Sequence, residues 1–214
     1  MVLLLAALLA MGCADVPARR GGRGAPPMEW AEGPFEVLDY QGKAEGAEIP
    51  SWAARALSGE RQVDSAEAWY FAALGRGGSF RALEEWDAGF SPEQDFPLLA
   101  AERVILHVEA LVPGGEALLG DTFPALIRAV HDEAYTGLSR EGGFWARLRF
   151  PGEDETAAPR EEWAFIILVT AERGAFMRSI NAIFDRIYDD EEPDLSRAQR
   201  TAFRRMRDQF WEQF

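Results

Sequence analysis

The run Phe165-Ile-Ile-Leu-Val169, set between Trp163-Ala164 and Thr170, constrains the fold more than any other stretch of the chain. A segment this short, apolar on both sides and rich in β-branched residues, predicts a central strand covered on both faces. Its partner lies just upstream. In Gly143-Phe-Trp-Ala-Arg-Leu-Arg-Phe150, Phe144, Ala146, Leu148 and Phe150 alternate with Trp145, Arg147 and Arg149, the period of a strand with one buried and one wetter face. The intervening residues 151–162 are acidic and broken by Pro and Gly, which predicts a hairpin of residues 143–150 and 163–170 with a long solvated turn.

The other patterns build an α+β domain around that hairpin. Pro34–Tyr40 alternates as a short strand, and Glu67–Leu74 reads as another that runs into the glycine-rich Gly75-Arg-Gly-Gly-Ser79. Its spacing fits neither a P-loop nor a dinucleotide fingerprint. Ser51 is positioned to cap a brief helix ending at Leu57. Apolar residues at helical spacing predict a helix from Phe96 to Val112 and another from Asp121 or Thr122 to near Gly137. Phe176, Ile180, Ile183, Phe184 and Ile187 form a narrow stripe on a third helix, and Asp194 is placed to cap a last amphipathic helix. The expectation is a small sheet of about four strands packed by about four helices, in one domain spanning residues 28–214.

The first residues read differently. Met1-Val-Leu-Leu-Leu-Ala-Ala-Leu-Leu-Ala-Met-Gly12 is an apolar run too short to span a bilayer as a helix, which predicts an export signal over residues 1–12. It closes on Cys13, the sole cysteine, so no intramolecular disulfide and no cysteine-based zinc site can form. Residues 13–27 are dominated by Gly, Pro and Arg without apolar period and predict a flexible tether, with Arg19, Arg20 and Arg23 against the single Asp15. Those arginines can add attraction to anionic head groups beside a lipid anchor.

With a formal net charge of -14, the chain repels nucleic acid, and no such partner is expected. The chemistry-bearing residues are sparse. His107 and His131 both fall on predicted helices; His107 beside an apolar stripe reads as a boundary histidine, and no second His follows His131 at i+4 to make a metal-binding face. No Gly-x-Ser-x-Gly elbow is present. The carboxylate pairs Glu84-Glu85, Glu161-Glu162 and Asp189–Glu192 read as solvated turns, and the seven Trp as packing residues more than as a sugar platform. No catalytic residue, metal or cofactor is expected.

The order of landmarks, Ile49-Pro-Ser-Trp52, a strand ending in glycines, Tyr135-Thr-Gly137 and Phe144-Trp145 before the apolar strand, resembles small bacterial envelope lipoproteins of the FlgO-like type and a group of spirochaete lipoproteins. The segment before Cys13 likewise resembles a lipobox, with Ala10 at the position where that family prefers Leu. The resemblance implies lipidation of Cys13 and a location on the cell membrane or outer membrane, facing the periplasm or cell surface. The expected partners are the membrane, through that anchor, and an envelope protein or cell-wall component. A carboxylate-dependent hydrolase acting on cell-wall material is the competing class. For a partner surface the sequence offers the last helix, where Arg197, Arg200, Arg204 and Arg207 line one face with Trp211 at its edge.

Overall fold

The computed structural model describes residues 35–59, 62–64, 68–152, 157–191 and 195–213. Along the chain these form β1 (Glu36–Tyr40), α1 (Ser51–Leu57), β2 (Gln62–Asp64), β3 (Ala68–Gly77), α2 (Phe80–Gly89), α3 (Pro92–Leu111), α4 (Gly115–Leu119), α5 (Thr122–His131), β4 (Leu138–Phe150), β5 (Arg160–Glu172), α6 (Arg173–Glu191) and α7 (Arg197–Gln213). All strand pairs are antiparallel, in the order β1-β4-β5-β3-β2. The fold is α+β. The short edge strand β2 is the fifth member of a sheet expected to hold about four.

The apolar run is central, as its composition requires. In β5, Ile167 is opposite Gly143 of β4 on one side and Ala73 of β3 on the other. Because successive side chains point to opposite faces, Ile167, Val169 and Ala171 enter one core while Ala164 and Ile166 enter another. Ile166 and Ile167 are both fully buried, each worth roughly 2 kcal/mol of apolar transfer.

The two cores differ in depth. On one face α3, α5, α6 and α7 supply the helix layer, with Phe71 of β3 packed edge-on against Phe96 of α3 at 4.7 Å and Phe176 of α6 at 5.5 Å. On the other, Phe144, Ala146, Leu148 and Phe150 meet Ala53, Ala56 and Leu57 of the short helix α1. Helix α7 docks through Ala202, Phe203, Met206 and Phe210, with Phe184 of α6 4.9 Å from Phe210.

Several boundaries depart from the sequence expectation for identifiable reasons. The strand expected to stop at Leu74 continues through Gly77, and Ser79 caps α2 by accepting a hydrogen bond from the Ala82 amide at 3.3 Å. Helix α3 starts at Pro92, because its first turn is polar and carries no apolar period. Pro50, one residue earlier than expected, stands at the N-cap of α1, and Asp121 at that of α5 makes no side-chain cap. Asp194 and the hairpin residues 153–156 lie outside the described residues, as do residues 1–34. For α7 the cap is a reciprocal pair: the Ser196 amide donates to Gln199 Oε1 at 2.9 Å, and the Gln199 amide to Ser196 Oγ at 3.3 Å.

Candidate functional site

The hairpin register fixes which polar side chains share a face. Trp145 is opposite Phe165, Arg147 opposite Trp163 and Arg149 opposite Glu161, so all six project from the face that carries the helix layer. Strand β1 adds Asp39 opposite Arg147 and Glu36 opposite Arg149. Toward β3 this face is apolar and covered. Toward β1 the described residues leave it open, and their cover ends at α2, whose Phe80 meets Trp163 at 4.7 Å, Phe165 at 5.1 Å and Trp145 at 5.4 Å.

Close approach of α2 depends on the missing side chain at Gly75. A Cβ there would come within 2.9 Å of Trp86 Cε3, so the strand has to carry glycine where the helix crosses it. The result is an aromatic corner of Phe80, Trp145 and Trp163, each half-buried, with the two indoles 5.6 Å apart and inclined at 64°.

A charged rim adjoins it. Glu161 accepts from Arg147 Nη2 at 2.6 Å and from Arg149 Nη2 at 2.9 Å, and Arg149 Nη1 donates to Glu36 at 3.3 Å. The Arg149 and Arg147 hydrogen bonds hold the Glu161 carboxyl below its ordinary range, and Glu161 in turn raises Arg149. Arg147 also lies over the Trp163 ring, 5.6 Å from its centroid. Two arginines and the two carboxylates that they bond therefore pair off beside half-buried aromatic surface, with Asp39 opposite Arg147 as a further carboxylate, which equips the corner for recognition by stacking and directed hydrogen bonds.

Glu161 and Glu162 are not a solvated turn but consecutive strand residues that point apart. Glu162 faces the opposite core, where it accepts from Arg76 Nη2 at 2.8 Å and Nε at 3.1 Å, the two side chains being 15% and 5% exposed. Arg160 reaches the other oxygen of Glu162 at 2.8 Å. Glu84 and Glu85 likewise lie on α2, and Asp189 and Asp190 in the last turn of α6.

Of the residues singled out in the sequence, Cys13 lies outside the described residues. Arg204 donates to the Tyr188 hydroxyl of α6 through Nε and Nη2, at 2.9 and 2.6 Å, and Arg207 reaches Asp185 at 3.3 Å. Arg197 is exposed and Arg200 half-buried. Trp211 is turned inward: its ring stacks on buried Trp69 at 5.1 Å and 8°, and its indole N–H donates to Asn181 at 2.7 Å. The stripe is thus divided, with Arg204 and Arg207 tied to α6 and Arg197 turned to the surface.

Both histidines have ordinary structural surroundings. His107 Nε2 is 2.6 Å from the Phe210 carbonyl, one of the last four in α7, and its ring packs on Phe210. His131 is exposed beside Asp132. Among the described residues no three His, Cys, Asp or Glu side chains converge as a metal site, and no helix is long and apolar enough to cross a membrane. Sequence reasoning found the alternation that exposes Trp145, Arg147 and Arg149. It missed Glu161 and Phe80, because the first needed the hairpin register and the second needed α2.

The fold and this corner define an α+β domain with an aromatic, charge-paired sheet face that the described residues leave open. No protein-family model, curated protein or solved structure matches the chain.

Proposed function

We propose that the protein is an exported envelope protein held to a membrane by lipid on Cys13, and that its α+β domain is a non-enzymatic interaction module. The observation that carries this reading is the junction at Cys13: an apolar run, small residues before the sole thiol, then a Gly-, Pro- and Arg-rich tether. One acyl chain anchors only marginally, so stable retention calls for further chains, helped by Arg19, Arg20 and Arg23. The resemblance to FlgO-like envelope lipoproteins points the same way.

Binding is favoured over hydrolysis by the state of the carboxylates. A glycosidase-type acid needs a carboxyl kept protonated by its surroundings. Here Glu161, the carboxyl beside the aromatic corner, is pushed the other way by its arginines. Fractionation of cells expressing Cys13→Ser tests the anchor. The variant is expected in the soluble fraction and the unaltered chain with membranes; a variant that stays with the membranes overturns the proposal.

A further inference from the structure

We propose that the corner formed by Phe80, Trp145 and Trp163 with Arg147, Arg149 and Glu161 binds an uncharged or weakly charged glycan strand. Three properties of the corner select that chemistry. A pyranose ring has an apolar face of C–H groups, which packs on an indole, and the half-buried Trp145 and Trp163 offer that surface on an open sheet. Sugar hydroxyls both donate and accept. An arginine–carboxylate pair presents donors and acceptors side by side, and here Glu161 fixes Arg147 and Arg149 at 2.6 and 2.9 Å before any ligand arrives.

Charge balance separates a glycan from an ionic polymer. Arg147 and Arg149 are answered by Glu161 and Glu36, on a chain whose formal net charge is -14. An anion would meet a repulsive body and arginines already neutralised, and a cation would compete with arginines for Glu161. A neutral chain meets neither obstacle. Each guanidinium has five N–H donors; Arg147 spends one on Glu161, so the rim can bond hydroxyls without breaking its own pairs.

The identification of that strand with cell-wall glycan rests on the envelope reading above, whereas the binding chemistry does not. The test therefore uses purified full-length protein in detergent, titrated with chitohexaose by calorimetry and co-sedimented with peptidoglycan sacculi. Binding to both is expected, little altered by salt, with Trp145→Ala and Arg147→Ala each weakening chitohexaose about tenfold, the worth of one good contact. Arg147 is 46% exposed, so Arg147→Ala keeps the fold and decides the matter if Trp145→Ala lowers the melting temperature. Absence of binding by the unaltered chain, unchanged affinity of Arg147→Ala, or binding abolished by moderate salt would overturn the proposal. None of these outcomes bears on where Cys13→Ser fractionates, so the two readings fail separately.

Discussion

At Gly75 one hydrogen atom sets the distance between a helix and the sheet. Gly75→Ala would place its Cβ 2.9 Å from Trp86 Cε3 and 3.2 Å from Leu83 Cδ2, and both side chains are packed. Overpacking of this kind costs about 1–3 kcal/mol, so denaturant unfolding of Gly75→Ala should give a lower midpoint with an unchanged slope. Equal stability would mean that α2 can slide without cost. A different residue contributes a pH dependence near neutrality. Burial of His107, together with the nearby Arg103, lowers its pKa below the ordinary 6.5 despite the Phe210 carbonyl, so the folded state takes up a proton less readily than the unfolded chain. The contribution of His107 to stability is accordingly constant above about pH 6.5 and declines as pH falls below it, until its folded-state pKa is passed. His107→Gln retains an N–H for Phe210 without titrating. Its melting temperature should fall less between pH 7 and 5.5 than that of the parent; parallel curves would remove His107 as the cause.

Among the elements, α7 shows how an amphipathic pattern can be read correctly for its apolar face and incompletely for its polar one. Ala202, Phe203, Met206 and Phe210 are buried as their spacing requires. The arginines, however, divide according to what α6 places beside them: Tyr188 and Asp185 engage Arg204 and Arg207. Exposed pairs of this kind are worth ~0.2–1 kcal/mol each. Replacing Arg204 and Arg207 together with Gln should lower the melting temperature by a few degrees, whereas Arg197→Gln with Arg200→Gln should leave it within about one degree. The reverse ranking in thermal melts would show that the contacts to α6 carry no stability. Helix α2 was not legible at all from apolar period, since ten residues with Leu83 alone buried leave too weak a stripe. Its real signal was Ser79 at the N-cap after a glycine-rich stretch, which local pattern alone does not distinguish from a loop.

For the molecule as a whole, the class of fold was legible because the hairpin at 143–150 and 163–170 carries its own pairing information in adjacent sequence. The remaining sheet order was not, since it depends on partners far apart along the chain: Arg76 and Glu162 are separated by 86 residues, and Glu36 and Arg149 by 113. The candidate site shared that fate, because its three aromatic residues come from two strands and a helix that meet only in the finished sheet. The same separation orders events in time. As the chain emerges from its N-terminal end, whether from a ribosome or a membrane pore, β1 and β3 appear before either of their long partners exists. Until β4 and β5 have followed, only the three-residue strand β2 is on hand for β3, and the long ladder from Ala68 to Gly77 has no partner. The central hairpin acts as a late keystone: the sheet of this topology cannot assemble until about four-fifths of the chain has passed, and the thicker of its two cores then waits for α6 and α7.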